Sequence, residues 1–203
     1  MTRGALAGLL LATALVACSA HSSTGASPVA GEADAADDAG EGGEGGVAAP
    51  CSDGAIAAVL EAEENADVDL AMAVRGRLES AGAVAFAEKE ITDHTLLLLQ
   101  VQGAVRADAI AVPSSDDADA IAQSAKLAVQ SLAPLSGAAL DRAYLAWAVL
   151  GHLEEGAVLD RLLAPGVRDV RVAAVVGHRR EILAEHQTLA LDAQARVAGS
   201  CGQ

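Results

Sequence analysis

His94, His152, His178 and His186, with Glu63 and Asp67, stand on or beside lines of apolar residues spaced at helical intervals, and Asp93 adjoins His94. Neutral imidazoles and carboxylates gathered inside a protein make a ligand set for a transition metal, suiting zinc, copper, iron or nickel without choosing among them. The same groups can instead form a hydrogen-bonded layer that fixes helix register and binds nothing. A paired di-iron site would want Glu-x-x-His on two helices. Here Glu90 and His94 are four apart and His178-x-x-Glu181 runs in reverse, so that template is not met. Nucleophilic catalysis finds little support, because no serine sits in a nucleophile-elbow context. The glycines at 40–46 precede no strand, which leaves no phosphate-binding loop. Asp141 with Arg142, and Glu181 with Arg179 or Arg180, read as surface or interhelical ion pairs.

Helices must position these groups. Residues 51–203 are rich in Ala, Leu and Glu and keep a period near 3.6, which predicts an all-α domain. Five helices are expected, over about 53–78, 82–106, 116–133, 138–163 and 166–197. Ser52 or Asp53, Ser80 and Ser114–Ser115 act as starts, and Pro113, Pro134, Gly137 and Pro165–Gly166 as breaks. Four are long; the short third helix belongs to the connection between the second and third long ones. On the first helix Ile56, Leu60, Glu63, Asp67, Leu70 and Val74 share a face. On the second, Val84, Ala87, Ile91, His94, Leu98, Val101 and Val105 form a seam that His94 interrupts. On the fourth, His152 lies in a stripe from Leu145 to Leu163. At about 1.5 Å per residue Asp67 and His94 meet near mid-height, with His152 and His178 within roughly a turn and His186 about two turns further along.

Phe86-Ala87-Glu88 followed by Asp93-His94-Thr95 resembles the signature of a large bacterial family of unknown function, whose exported or outer-membrane members are grouped with ferritin-like bundles. Asp141-Arg142-Ala143-Tyr144 with His152 eight residues on, and His186 with Leu189-Ala190, are similar to later motifs of that family. Asp67-Val68-Asp69-Leu70 stands where members carry a Glu-Val-type pair. The resemblance covers about residues 55–195. It implies a ferritin-like four-helix bundle and matched polar positions at Asp67, Asp93, His94, Asp141, Tyr144, His152 and His186, but no reaction. Leu140 stands where the family has Phe, Glu90 where Met is common and Asp67 where Glu is usual.

The first fifty residues carry an address. Arg3 precedes an apolar run, Ala5 to Ala17, too short to cross a bilayer but suited to a signal peptide over 1–17. Leu15-Val16-Ala17-Cys18 resembles a bacterial lipobox, which implies lipidation of Cys18 and a membrane link through acyl chains, on the periplasmic face of the outer membrane or at the cell surface. Residues 18–50 are acidic and Gly/Ala-rich and read as a disordered tether. The net charge of -15, with no basic cluster, argues against nucleic acid. Cys51 and Cys201 bracket the domain and suggest a disulfide worth roughly 4–5 kcal/mol. An up-down bundle would bring them together, whereas a crossover bundle would hold them apart. The expectation is a non-enzymatic, envelope-anchored lipoprotein whose helical domain binds a transition metal through His94, His152 and His186 or His178, with Asp67 and Asp93. A structural or stress-related interaction module without metal is the alternative; a metal-dependent oxidase or hydrolase with Tyr144 near the site ranks below it. Protein partner and oligomeric state are not specified by the sequence.

Overall fold

The computed structural model describes residues 51–199, so the signal peptide, Cys18, the tether and Cys201 lie outside the described residues. Five α-helices account for most of the rest: α1 (Asp53–Arg75), α2 (Ala81–Ala107), α3 (Asp116–Leu132), α4 (Gly137–Val158) and α5 (Val170–Gly199). No strand occurs among the described residues, and no helix among them is long and apolar enough to cross a membrane. Ser52, Ser80 and Ser115 each accept a hydrogen bond from the backbone N–H three residues on, satisfying a donor that a helix start leaves open. Helix α4 gives way to a π turn over Leu159–Leu163 and a tighter turn over Ala164–Gly166. Pro165 lacks an N–H to continue the α-helical ladder, and the wider turn closes instead with the N–H of Ala164 on the carbonyl of Leu159.

The contacts fix the direction of each helix. Asp53 at the start of α1 accepts from the backbone N–H groups of Arg168 and Asp169, just before α5, so α1 and α5 begin at the same end. Asp141 at the start of α4 accepts from Glu79 and Ser80 N–H, just before α2, so α2 and α4 begin together at the other end. Helix α2 ends where α4 must not start, and α3 makes the return, rising about 25 Å along α1. The expected place of the short helix is therefore occupied, and it packs its Ala125, Ala128 and Leu132 inward.

Two apolar cores result. One gathers Ile56, Leu60, Leu97, Val101, Leu159, Leu163, Val172 and Val176. The other gathers Leu70, Val74, Phe86, Leu140, Tyr144, Leu145, Ala190 and Val197. Between them, at mid-height on α1, α2, α4 and α5, lies a layer of buried polar side chains.

One expectation needs correction. The seam of α2 is turned by one residue: Ala83, Ala87, Glu90, His94, Leu97, Val101 and Ala104 face inward, while Val84, Ile91, Leu98 and Val105 sit half-buried on its flank. Alanines let the neighbouring helices approach closely, and the larger residues fill the sides. Cys51 lies beside Gly166, at the end where α5 begins; the expected pairing with Cys201 falls on a residue outside the described ones.

Gly54 marks a close crossing. A Cβ there would collide with the carbonyl oxygen of Ala111 in the loop after α2. Gly54→Ala is expected to destabilise the domain by about 1–3 kcal/mol, as overpacking at a backbone contact does; urea unfolding followed by circular dichroism checks this.

Candidate metal centre

Three imidazoles from three helices face one carboxylate. His94 and Glu90 come from α2, one turn apart; His152 comes from α4 and His186 from α5. All four are buried, and the rings of His94, His152 and His186 stand 5.1 to 5.8 Å apart between centroids. Glu90 Oε1 lies 2.7 Å from His186 Nδ1 and 3.2 Å from His152 Nε2, and Glu90 Oε2 lies 3.5 Å from His94 Nε2. One donor atom from each of the four residues falls within 4.8 Å of the other three.

The outer nitrogens define the inner ones. His152 Nδ1 is 2.6 Å from the carbonyl oxygen of Ala148, which can only accept, so that nitrogen carries hydrogen. His94 Nδ1 donates to Glu64 Oε2 at 2.6 Å, and His186 Nε2 donates to Asp93 Oδ2 at 2.8 Å. Each ring thus spends one nitrogen on an outer acceptor and turns the other inward, which is how metal-binding histidines are oriented. The inward atoms His94 Nε2, His152 Nε2 and His186 Nδ1 make no hydrogen bond within the described residues, nor does Glu90 Oε1. Their contacts are close in distance but lack hydrogen-bond angles.

A second group adjoins the first. Arg179 of α5 is fully buried and touches Glu64 Oε1 at 2.6 Å, Glu63 Oε2 at 2.8 Å and Glu155 Oε2 at 3.1 Å. Glu64 bridges the two groups, with one oxygen on His94 and the other on Arg179. Asp67 Oδ2 lies 3.3 Å from His94 Nδ1, and neither oxygen of Asp67 makes a hydrogen bond among the described residues.

Burial and charge decide the protonation of this layer. Burial pushes the Glu63 carboxyl up from 4.5 to about 8, only partly opposed by Arg179. Burial, with the charges of Glu155 and Glu90, lifts Asp67 well above the carboxylate range. For Glu64 burial acts upward too, but Arg179 and the hydrogen bond from His94 outweigh it and hold the group below its ordinary value. Glu90 is likewise held well down, since His152, His186 and His94 overcome its desolvation. His152 is disfavoured as a cation by burial, yet the facing Glu90 raises it to about 9.

Of the residues singled out in the sequence, His94, His152 and His186 meet, and Asp67 borders them. Asp93 stands behind His186 and contacts Lys89 at 2.9 Å on its outer side. His178 is not in the cluster; half-buried, it pairs with Gln100 at 2.9 Å. His186 joins the layer because α5 begins at Val170, a turn later than expected, which brings His186 level with Asp67. Tyr144 packs against Phe86 with ring centroids 5.8 Å apart, its hydroxyl buried without a hydrogen bond among the described residues. Asp141 is buried and secures the start of α2, rather than pairing at the surface. Arg179 is likewise no surface residue, whereas Arg180 pairs with exposed Asp160.

The sequence reading missed Glu90, Glu64, Glu155 and Arg179. Arg179 had a signal: Val172, Val175, Arg179, Ile182, His186 and Ala190 follow steps of three and four along one face.

Residues 39–192 match a family described as a domain of unknown function (DUF4142). No curated protein and no solved structure matches the chain.

Glu63 supplies a test of this layer. It interacts with Arg179, Glu155 and Glu64, and its folded-state value lies above its unfolded one. The native state therefore binds the extra proton between about pH 4.5 and 8, and stability falls as pH rises through that window. Each such proton is worth up to about 1.4 kcal/mol per pH unit. Glu63→Gln is expected to flatten the slope, measured by urea unfolding of metal-free protein at steps from pH 5 to pH 8.

Proposed function

The chain belongs to the DUF4142 family, and from its inner layer we propose that it is a non-enzymatic protein binding one transition-metal ion through Glu90, His94, His152 and His186. The observation that carries this reading is the set of three inward nitrogens. Each ring has its other nitrogen engaged on the far side, and all three inward nitrogens face the Glu90 carboxylate in a buried space. Three imidazoles and one carboxylate suit zinc, copper, iron or nickel. Glu64, the Ala148 carbonyl and Asp93 would hold the rings in place. The reading extends to a ferritin-like bundle: α2 and α4 run together, α1 and α5 run together, and α3 is the single crossover, which supports that arrangement. It also keeps the envelope address, a lipid on Cys18 with the acidic segment as tether, supported by the lipobox-like run before it.

A structural layer is the second reading, and one observation favours it. Glu90 already partners two imidazoles and holds His152 in its charged form, a pairing that can stand without an ion.

Metal-free full-length chain titrated with Co(II) or Zn(II) separates the two. The metal reading expects 1:1 uptake, stronger at pH 8 than at pH 6 because the imidazoles must shed protons. Stabilisation of about 2.7 kcal/mol is expected at a hundredfold excess over Kd. His94→Ala and His186→Ala should each lose it. The structural reading expects no uptake, with His94→Leu tolerated.

A further inference from the structure

The four-ligand site uses only half of the inner layer. Glu63, Glu64 and Asp67 from α1 and Glu155 from α4 form an acid half that abuts it. Donor atoms of Glu64, Asp67 and His94 lie within 4.8 Å of one another, as do those of Asp67, His152 and Glu155. Carboxylate oxygens gathered in this way suit a divalent cation, and both oxygens of Asp67 are buried with no hydrogen bond. A cation is already there. The Arg179 guanidinium reaches Glu63, Glu64 and Glu155 at 2.8, 2.6 and 3.1 Å and is sealed from solvent. Glu64 shares its two oxygens between this guanidinium and His94, so the two halves are joined by one carboxylate. The guanidinium is planar, carries a permanent charge and is tethered to α5, so it cannot exchange as an ion does.

We propose that Arg179 is a built-in cation standing where a second metal ion would bind, so that the layer takes one ion only. Removing the guanidinium turns Glu63, Glu64, Asp67 and Glu155 into a second divalent-cation site. The inference rests on the four-ligand reading above. It makes the centre mononuclear by construction, with Glu64 joining the ligand His94 to an arginine instead of to a second ion. It also accounts for the crowding of acids beside a site that needs only Glu90.

The experiment is an ion count on metal-free full-length chain saturated with Co(II) and freed of excess by gel filtration. Wild type is expected to retain one cobalt and Arg179→Ser two. The metal-free variant should melt lower than wild type and regain more on adding Co(II), because the second ion replaces the missing charge. Glu63→Gln, which keeps Arg179 in place, should leave the count at one. Two ions in wild type, or one ion in a folded Arg179→Ser, overturn the proposal while leaving the four-ligand site intact. If Arg179→Ser does not fold, wild type and Glu63→Gln still decide: a count that drops in Glu63→Gln means the acid half already ligates an ion. A wild type that takes no cobalt overturns the four-ligand reading and this proposal with it.

Discussion

Everything in this molecule is arranged around the cost of keeping charge at mid-height in a helical core. Glu63, Glu64, Asp67, Glu90 and Arg179 are buried with His94, His152 and His186. A carboxylate taken out of water without a partner costs several kcal/mol. The layer meets that cost in three ways. Arg179 neutralises Glu64 and Glu155 directly, Glu63 and Asp67 hold protons, and Glu90 is surrounded by imidazoles. Because acids outnumber the permanent cation, the layer is balanced only by protons or by a further positive charge. That imbalance makes an ion at Glu90 chemically reasonable.

The helix directions follow from the same constraint. Four helices must each bring polar residues to one level, and that happens near the middle of α1, α2, α4 and α5. Splitting the apolar residues into a core on each side lets both ends of the bundle be dry and well packed while the middle is polar. With α2 and α4 parallel, a crossover is unavoidable, and α3 supplies it with its acidic first turn, Asp116, Asp117 and Asp119, at the helix N-terminus, where negative charge is favourable. Asp53 and Asp141 then tie opposite ends of the molecule, each accepting two backbone N–H groups from another element.

Much of this was legible in the residues. The starts of α1, α2 and α3 were marked by serines that do cap them, and the polar positions of α1 fell on the predicted face. What misled was size. Val84, Ile91, Leu98 and Val105 are large apolar residues of α2, and their seven-residue spacing looked like half of a seam. The interior instead takes Ala83, Glu90, Leu97 and Ala104 at those steps, so the true face is offset and carries Glu90. Arg179 was misread for a similar reason: an arginine next to another arginine and a glutamate suggests a surface, and only three acids on two other helices make its burial tolerable. Such partners are invisible from α5 alone.

Tautomers decide how the three histidines differ from ordinary buried ones. A core histidine paired once is satisfied when its second nitrogen meets a donor or acceptor at a proper angle. Here all three second nitrogens converge on one carboxylate that has only two oxygens, and no arrangement of protons gives each a good hydrogen bond. The protein could have relieved this by an apolar residue at any one position, since replacing a buried polar network with packed hydrocarbon often stabilises. It instead adds an outer acceptor to each ring, which costs further burial of Glu64 and holds Asp93 at the surface edge. A metal ion among the three inward nitrogens would resolve that crowding, with Glu64, the Ala148 carbonyl and Asp93 holding the rings from outside.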